Sequence, residues 1–434
     1  MTEFSSIFSL LARFRELGAT RAFFKPLSEN DNSKQQIYLG GSFEILSFFP
    51  HGTVKAHPGL KDPNFKASLS FLWVSPEHAE EAPHTQLILY PKYPEVRLSG
   101  FLRGCQTAPN EFLRPVPKEE RRGVDGRVLF FGVTQDGRTL AHLASSSSSL
   151  ALEALDIQRK EDAEGLFTEL PVRGSSENAN RKLLLERLRE IHRMGFVASV
   201  RLDRHGNPTP YRARNGGGYT LEALLGVKPN GESNPDFLGW EVKAFSKSSI
   251  TLMTPEPDGG LYGEKGVAAF IREFGHASGE DQLYFTGTHR VGQRLPTTGL
   301  LLEVNGFDAA TGKITDVTGS IQLTDEMGRN AASWGFADLL THWNRKHASA
   351  VYVKYESRAS DEIQYRFLSP VWLGQHTDFG KYLAALTERL IVFDPGSKID
   401  NASSPQSRVK ARSQFRIKFR DLAGLYESFE TVQL

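Results

Sequence analysis

A single cysteine, Cys105, stands among 434 residues, which excludes an intrachain disulfide framework and any cysteine-rich zinc site and suits a reducing compartment. Its expected place is that of a small buried hydrophobe. No apolar run approaches the eighteen or so residues that a membrane-spanning helix needs. The opening stretch, MTEFSSIFSLLARFRELG, is interrupted by Glu3, Arg13 and Arg15, so neither a signal peptide nor a membrane anchor is expected. Ser5 to Leu17 reads instead as an amphipathic helix, and the expectation is a soluble cytoplasmic protein with no membrane partner. An excess of either charge is also missing: 52 Lys and Arg face 51 Asp and Glu, for a formal net charge of +1. Any surface for an anionic polymer must therefore come from uneven placement of charge. A nucleotide-phosphate loop is absent, because Gly216-Gly217-Gly218 runs on into Tyr219-Thr220 rather than Gly-Lys-Ser/Thr, so no nucleotide cofactor is expected. The twelve histidines show no H-E-x-x-H spacing. His342 and His347 lie off one helical face, and no Gly-x-Ser-x-Gly elbow occurs.

The length favours two or three domains. Ser145 to Ser149 is a serine run, Glu153 to Glu164 is rich in charge, and Gly174 to Asn180 is polar. Those features divide the chain into a first domain over residues 1–150, a linker over 151–180 and a second domain over 181–434. The first domain reads as many short strands, Gln36–Leu39, Phe43–Phe48, Ala67–Val74, Gln86–Tyr90, Glu95–Phe101 and Arg127–Val133, separated by turn residues, a pattern that suggests a barrel. The second begins with a helix over Arg181 to Phe196, where Leu184, Leu188 and Ile191 recur at helical spacing.

Between Thr220 and Phe245 the chain reads TLEALLGVKPNGESNPDFLGWEVKAF. Thr220 suits an N-cap, Leu221 to Leu225 is strongly helix-forming and Gly226 is a natural stop, so a short helix carries Glu222. Asp236 follows in a turn. From Gly239 to Phe245 the residues alternate as in a strand, with Trp240, Val242 and Ala244 on one face and Glu241 and Lys243 on the other. Acid and base two apart on a strand usually form an ordinary solvated face. The same residue types, however, are those that phosphodiester hydrolysis needs. Attack by water adds negative charge to the phosphate and to the leaving 3′ oxygen, and Mg²⁺ takes its ligands from one or two carboxylates plus substrate oxygens. Asp236 and Glu241 are the expected metal ligands. Lys243 reaches the attacking water or the scissile phosphate as a point charge. Glu222 either ligates the metal directly or stands behind it, holding the water shell or accepting a proton, and the residues leave these roles open.

The stretch from Asn215-Gly-Gly-Gly-Tyr219 through T-L-E-A-L-L-G, N-P-D and G-W-E-V-K resembles the MvaI/BcnI restriction endonucleases and the related MutH-type mismatch-repair nickases. The resemblance continues more weakly through Leu252-Met-Thr-Pro255, Asp281-Gln-Leu-Tyr-Phe285, Trp334 to His347 and Phe415-Arg-Ile417. It implies an α/β PD-(D/E)xK nuclease fold, catalytic roles for Glu222, Asp236, Glu241 and Lys243, and a monomeric enzyme that cuts the two strands of a short site in succession. Base reading would then lie in the C-terminal half. Its basic candidates are His289, Arg290, Arg294, Arg358, Arg366, Arg408, Lys410, Arg412, Arg416 and Lys418, with Asp394 as an acceptor. Members of this family carry a histidine-rich turn before the F-R-I strand, and Val409 to Gln414 stands there instead.

Two polar segments of the first domain, Lys25 to Gln36 and Tyr90 to Ser99, resemble the two DNA-gripping arms of EcoRII-type effector domains, pseudobarrels related to plant B3-type DNA-binding domains. That resemblance makes Asn30, Asp31, Lys34, Gln35 and Gln36 in the first arm, and Lys92, Glu95, Arg97 and Ser99 in the second, candidates for base and phosphate contact. An effector domain joined to such a nuclease is the arrangement of Type IIE restriction enzymes, which bind one copy of a site while cutting another. The expectation is thus a Mg²⁺-dependent endonuclease acting on double-stranded DNA, two copies at a time, with CC(A/T)GG as the first target to try. A repair nickase and a DNA-binding regulator without chemistry remain the alternatives.

Overall fold

A computed structural model describes residues 3–28, 36–109, 113, 119, 126–161, 166–172, 177–213, 215–228, 235–359 and 362–434. The chain divides into two compact units, Met1–Lys182 and Leu183–Leu434.

The first unit is mainly β. A six-stranded sheet runs in the order 168–170, 19–26, 128–134, 138–144, 70–74, 79–81, and a five-stranded sheet in the order 36–40, 95–99, 86–90, 64–68, 55–57. The stretch expected as one strand from Ala67 to Val74 is two, Asn64–Ser68 and Ser70–Val74. The chain passes from one sheet to the other at Leu69. Phe43–Ser47, expected as a strand, is a 3₁₀ turn, because the Ser42 side chain accepts the Glu44 amide and starts a local i→i+3 ladder. The expected N-terminal helix is present as Ile7–Glu16, with Ser6 and Ser9 forming a reciprocal cap. Its Ile7, Leu10, Leu11 and Phe14 enter a core with Phe24, Phe130 and Leu140.

The segment expected as a linker is folded into this unit. Ser149–Glu161 is a helix whose Leu150, Ala151 and Ala154 are fully buried in the same core. Thr168–Leu170 adds a strand beside Ala22–Phe24. Charge on the helix's outer positions conceals an inner apolar face in the sequence. Cys105 is half-exposed rather than buried, with its thiol directed at the Phe101 and Glu81 carbonyls.

The second unit is built on a sheet in the order 197–198, 363–375, 349–359, 241–245, with 428–432 also paired to 363–375. Strand Glu241–Phe245 runs parallel to Ser349–Ala359, which is antiparallel to Ile363–Gln375. Helices Glu177–Arg193 and Gly217–Leu225 cover one face. Leu184, Leu188, Ile191, Leu221 and Leu225 meet Trp240, Val242, Val351, Val353 and Phe367 there. Among the described residues the remainder of the unit holds further small sheets, the α-helices Gly260–Phe274, Phe336–His347 and Phe379–Thr387, and a 3₁₀ helix, Phe419–Leu425. No described helix is long and apolar enough to cross a membrane.

Candidate active site

A two-residue turn makes the site. Phe237 and Trp240 exchange both backbone hydrogen bonds, at 3.0 and 2.9 Å, and the residues between them, Leu238 and Gly239, have φ of 51° and 87°. Positive φ at both central positions gives the tight hairpin turn that matches strand twist. Gly239 adopts this freely, whereas Leu238 is strained there by roughly 1 kcal/mol. The turn folds Asp236 back so that its Oδ2 accepts the Val242 amide at 2.9 Å. A four-residue gap in the sequence thereby becomes adjacency to Glu241.

The alternation expected over 241–245 places Glu241 and Lys243 on one face, and their side chains touch, with Lys243 Nζ 2.5 Å from Glu241 Oε1. Glu241 is 2% exposed, yet its Oε2 has no hydrogen-bond partner. A buried carboxylate oxygen left without a donor carries a desolvation penalty that a cation relieves.

Glu222 arrives on Gly217–Leu225, whose end at Gly226 is the expected left-handed cap, φ 77°. The helix begins earlier than the sequence suggests. Thr220 is not its N-cap; the hydroxyl is turned inward and bonds both the amide and the carbonyl of Val200 at 3.2 Å. Gly217 allows this early start, because a Cβ there would lie 2.4 Å from the Tyr355 ring.

The charges of these groups act on one another. Burial, and then the Asp236 charge, pushes the Glu222 carboxyl up to about 7. Asp236 is raised by burial and by the neighbouring Glu241. Burial alone would raise Glu241 as well, but Lys243 and Lys346 outweigh it and hold the carboxyl below its usual value. Three carboxylates thus share a site with their proton affinities spread apart, the arrangement that separates acid, base and ligand roles.

Lys346 escaped the sequence reading. It lies 3.8 Å from Glu241 Oε1, near the end of helix Phe336–His347. The next residue, His347, is fully buried and bonds the Leu252 carbonyl and the Tyr426 hydroxyl. Burial, followed by the Lys243 charge, lowers its imidazole to about 4, so it is neutral. Nothing in the local pattern marks Lys346, since what brings it near Glu241 is the parallel pairing of Glu241–Phe245 with Ala350–Lys354, the strand that follows its helix.

Among the described residues no group of three His, Cys, Asp or Glu side chains is set to enclose a metal by itself. Two carboxylates, one with an unsatisfied buried oxygen, suit Mg²⁺ completed by substrate oxygens and water.

The other expected residues are dispersed. Asp394 and Arg416 form an ion pair at 2.6 Å, with Thr288 Oγ1 3.3 Å from the same carboxylate. Arg408 and Lys410 are exposed on strand Arg408–Lys410, which belongs to another sheet than strand Phe415–Lys418 of Arg416. Arg290, Arg366, Arg412 and Lys418 are also exposed. His289 is buried and neutral, its imidazole lowered to about 4 by desolvation, with Nε2 against the Thr298 hydroxyl at 3.1 Å. Arg294 donates to the carbonyls of Gly299, Thr324 and Asp325, so its guanidinium pins a turn. Arg358 lies over the Phe196 ring at 4.2 Å and bonds Gln364 at 2.7 Å.

In the first unit, Asn30, Asp31, Lys34 and Gln35 lie outside the described residues. The rest of the two arms meet. Strands 36–40 and 95–99 pair with Gln36 opposite Ser99 and Tyr38 opposite Arg97. Arg97 donates to Glu95 at 2.9 Å and to Gln36 Oε1 at 3.4 Å, and lies over the Tyr90 ring at 5.7 Å. Lys92 is exposed beside Tyr93.

Residues 185–426 match the model of the MvaI/BcnI restriction endonuclease family. No curated protein sequence matches the chain. A solved complex of restriction endonuclease MvaI with cognate DNA is 17% identical, covering 58% of this chain and 97% of that one with a TM-score of 0.44. MvaI without DNA is 14% identical over 59% and 99%, at 0.33. The B3 domain of UbaLAI restriction endonuclease with cognate DNA is 21% identical over 37% of this chain and 94% of that one, at 0.24. With more than half of its length inside the family model, and with the carboxylate and lysine cluster inside that span, the chain belongs to the MvaI/BcnI restriction endonuclease family.

Proposed function

We propose that the protein is a Mg²⁺-dependent Type II restriction endonuclease of the PD-(D/E)xK kind, with Glu222, Asp236, Glu241 and Lys243 as its working residues. The observation that carries this reading is the Phe237–Trp240 turn, which sets Asp236 beside Glu241 and Lys243. Asp236 and Glu241 would hold the cation, which when bound supplies positive charge against the phosphate as negative charge develops on it. Lys243, which lies against Glu241, would orient the attacking water and meet the phosphate. Glu222, with its carboxyl near neutrality, is suited to accept the proton that this water loses. Lys346 keeps Glu241 ionised and in place.

Reading of the duplex falls to the C-terminal unit's exposed cations, Arg290, Arg358, Arg408, Lys410 and Arg412, and to the Asp394–Arg416 pair. That pair offers an acceptor and a donor to a base pair. Gln36, Glu95, Arg97, Ser99 and Lys92 would bind a second DNA copy on the first unit, read as an EcoRII-type pseudobarrel effector that stimulates cutting. The enzyme acts as a cytoplasmic monomer, and CC(A/T)GG is the first target to test.

The test is Mg²⁺-dependent digestion of supercoiled plasmids carrying zero, one or two CC(A/T)GG sites, with Asp236→Ala as control. Site-dependent cutting that is faster on two sites is expected. Absence of cutting on every plasmid by a folded protein that binds DNA would overturn the nuclease assignment or its target. Equal rates on one and two sites would remove the effector.

A further inference from the structure

Helix Gly217–Leu225 carries a second feature beside the carboxylate site. Strands Val200–Leu202 and Pro208–Pro210 form a hairpin that is seated on this helix by the Thr220 hydroxyl, which bonds both backbone groups of Val200. An isolated two-stranded hairpin is marginal in water. This one is ordered at both ends. At its tip the Asp203 carboxylate accepts the amides of His205 and Asn207 at 2.8 Å, and the Asp203 amide bonds the Asn207 carbonyl at 2.9 Å. At its root the Tyr211 amide bonds the Ser199 carbonyl at 3.0 Å.

What this hairpin presents is positive. Arg201, Arg204 and Arg212 are exposed, and Lys228, also exposed, packs against the tip glycine, Gly206. Arg201 lies over the Tyr211 ring at 5.5 Å, and Tyr211 meets Tyr219 with centroids 5.0 Å apart. A cation–π contact of this kind leaves the guanidinium's donors open to an anion, which an ion pair would not do. Tyr219 is 40% exposed and precedes Glu222 by three residues, so the two share a helix face. The basic hairpin and the carboxylate site are therefore neighbours on one rigid support.

We infer that the 200–212 hairpin is a phosphate clamp for duplex DNA, in which Arg201, Arg204 and Arg212 grip the backbone next to the phosphate being cut and do so without regard to sequence. The inference rests on the DNA reading above. Its chemistry is that of backbone contacts, which position a duplex and carry no base information. A preformed, internally bonded hairpin contributes such contacts without an added ordering penalty.

The experiment compares the full-length protein with two triple variants, Arg201→Ala/Arg204→Ala/Arg212→Ala and the same positions changed to Lys. Binding of a 30-bp duplex is followed by fluorescence anisotropy without Mg²⁺, from 50 to 300 mM NaCl. Each phosphate contact adds about 0.9 to the slope of log K against log salt. The alanine variant is expected to lose about 2 to 3 from that slope and to bind about tenfold or more weakly at 100 mM NaCl. The lysine variant should stay near the parent, since it keeps the charges. Both variants retain the first unit, so its share of the slope cancels in the difference. An alanine variant with unchanged slope and affinity overturns the clamp while leaving the nuclease reading standing. A parent that shows no salt-dependent duplex binding overturns both.

Discussion

The carboxylate site of the second unit and the polar strand pair of the first are both charged, but they are built on opposite principles. In the former, Glu241 is almost fully buried with one oxygen unsatisfied, and burial drives the proton affinities of Glu222 and Asp236 upward. Low dielectric makes such a cluster uncomfortable until a cation and a substrate complete it. In the latter, Arg97 is half-exposed and held by Glu95, Gln36 and the Tyr90 ring, although its Nε, like the Glu241 Oε2, has no partner. A surface of that kind can exchange its partners for base edges at little expense. The contrast is the one the proposed function draws between a site for chemistry and one for reading.

The largest break in this comparison should come from the buried side. Asp236→Ala or Lys243→Ala is expected to lower cleavage by about 10³-fold or more while duplex affinity, which rests on many phosphate contacts, is largely kept. Plasmid nicking and anisotropy on the same preparations check both halves. The same substitution at Asp236 should remove the thermal stabilisation that Mg²⁺ or Ca²⁺ gives the parent, because a ligand that binds only the folded state raises its melting temperature.

Lys346→Ala should lower cleavage by about 10- to 100-fold, the range typical of groups that orient a ligand. It should also raise the Mg²⁺ concentration needed for half-maximal rate. An unchanged Mg²⁺ dependence would detach Lys346 from Glu241. On the exposed side, Arg97→Ala should leave the rate on a one-site plasmid within about twofold, in line with surface changes, and abolish the gain given by a second site. Loss of one-site cutting would contradict a separate reading role.

Proton linkage sharpens the contrast further. A folded Glu222 carboxyl near 7, against an ordinary 4.5, means that the native state keeps a proton that the unfolded chain has released between these values. Metal-free stability should therefore fall as pH rises from about 4.5 to 7 and level off above, by on the order of 1–2 kcal/mol after allowance for partial exposure. Raised Asp236 acts with the same sign. Glu241, held low, contributes stability that is present above its unfolded value and lost only in more acid solution. Glu222→Gln should flatten the fall in urea titrations across that range, and an undiminished slope would reassign it. The smallest effect belongs to the turn: Leu238→Asn relieves a positive φ and should stabilise the fold by about 0.5–1 kcal/mol, measurable as a shift in urea midpoint.

Elements whose pattern is local were legible in advance. The helix of Glu222 and its Gly226 stop, the alternation of Glu241 and Lys243, and strand Gln86–Tyr90 follow from periodicity and turn residues alone. Failures occurred where a side-chain hydrogen bond, local or from elsewhere in the chain, or a distant core decides. Ser42 converts Phe43–Ser47 from extended to 3₁₀, Thr220 turns from cap to internal anchor because Val200 faces it, and the charged Ser149–Glu161 segment is a helix because its inner face finds the core of the first unit.

By itself, then, the sequence determined that Glu241 and Lys243 share a face, because side chains two apart on a strand must point the same way. The tertiary structure alone decided that Asp236 folds back onto Val242, that burial pushes the Glu222 carboxyl up to about 7, and that Lys346 joins the cluster. Each of these depends on burial or on a charge brought in by a distant element, and neither the dielectric around a carboxylate nor its through-space neighbours can be written in the residues that flank it.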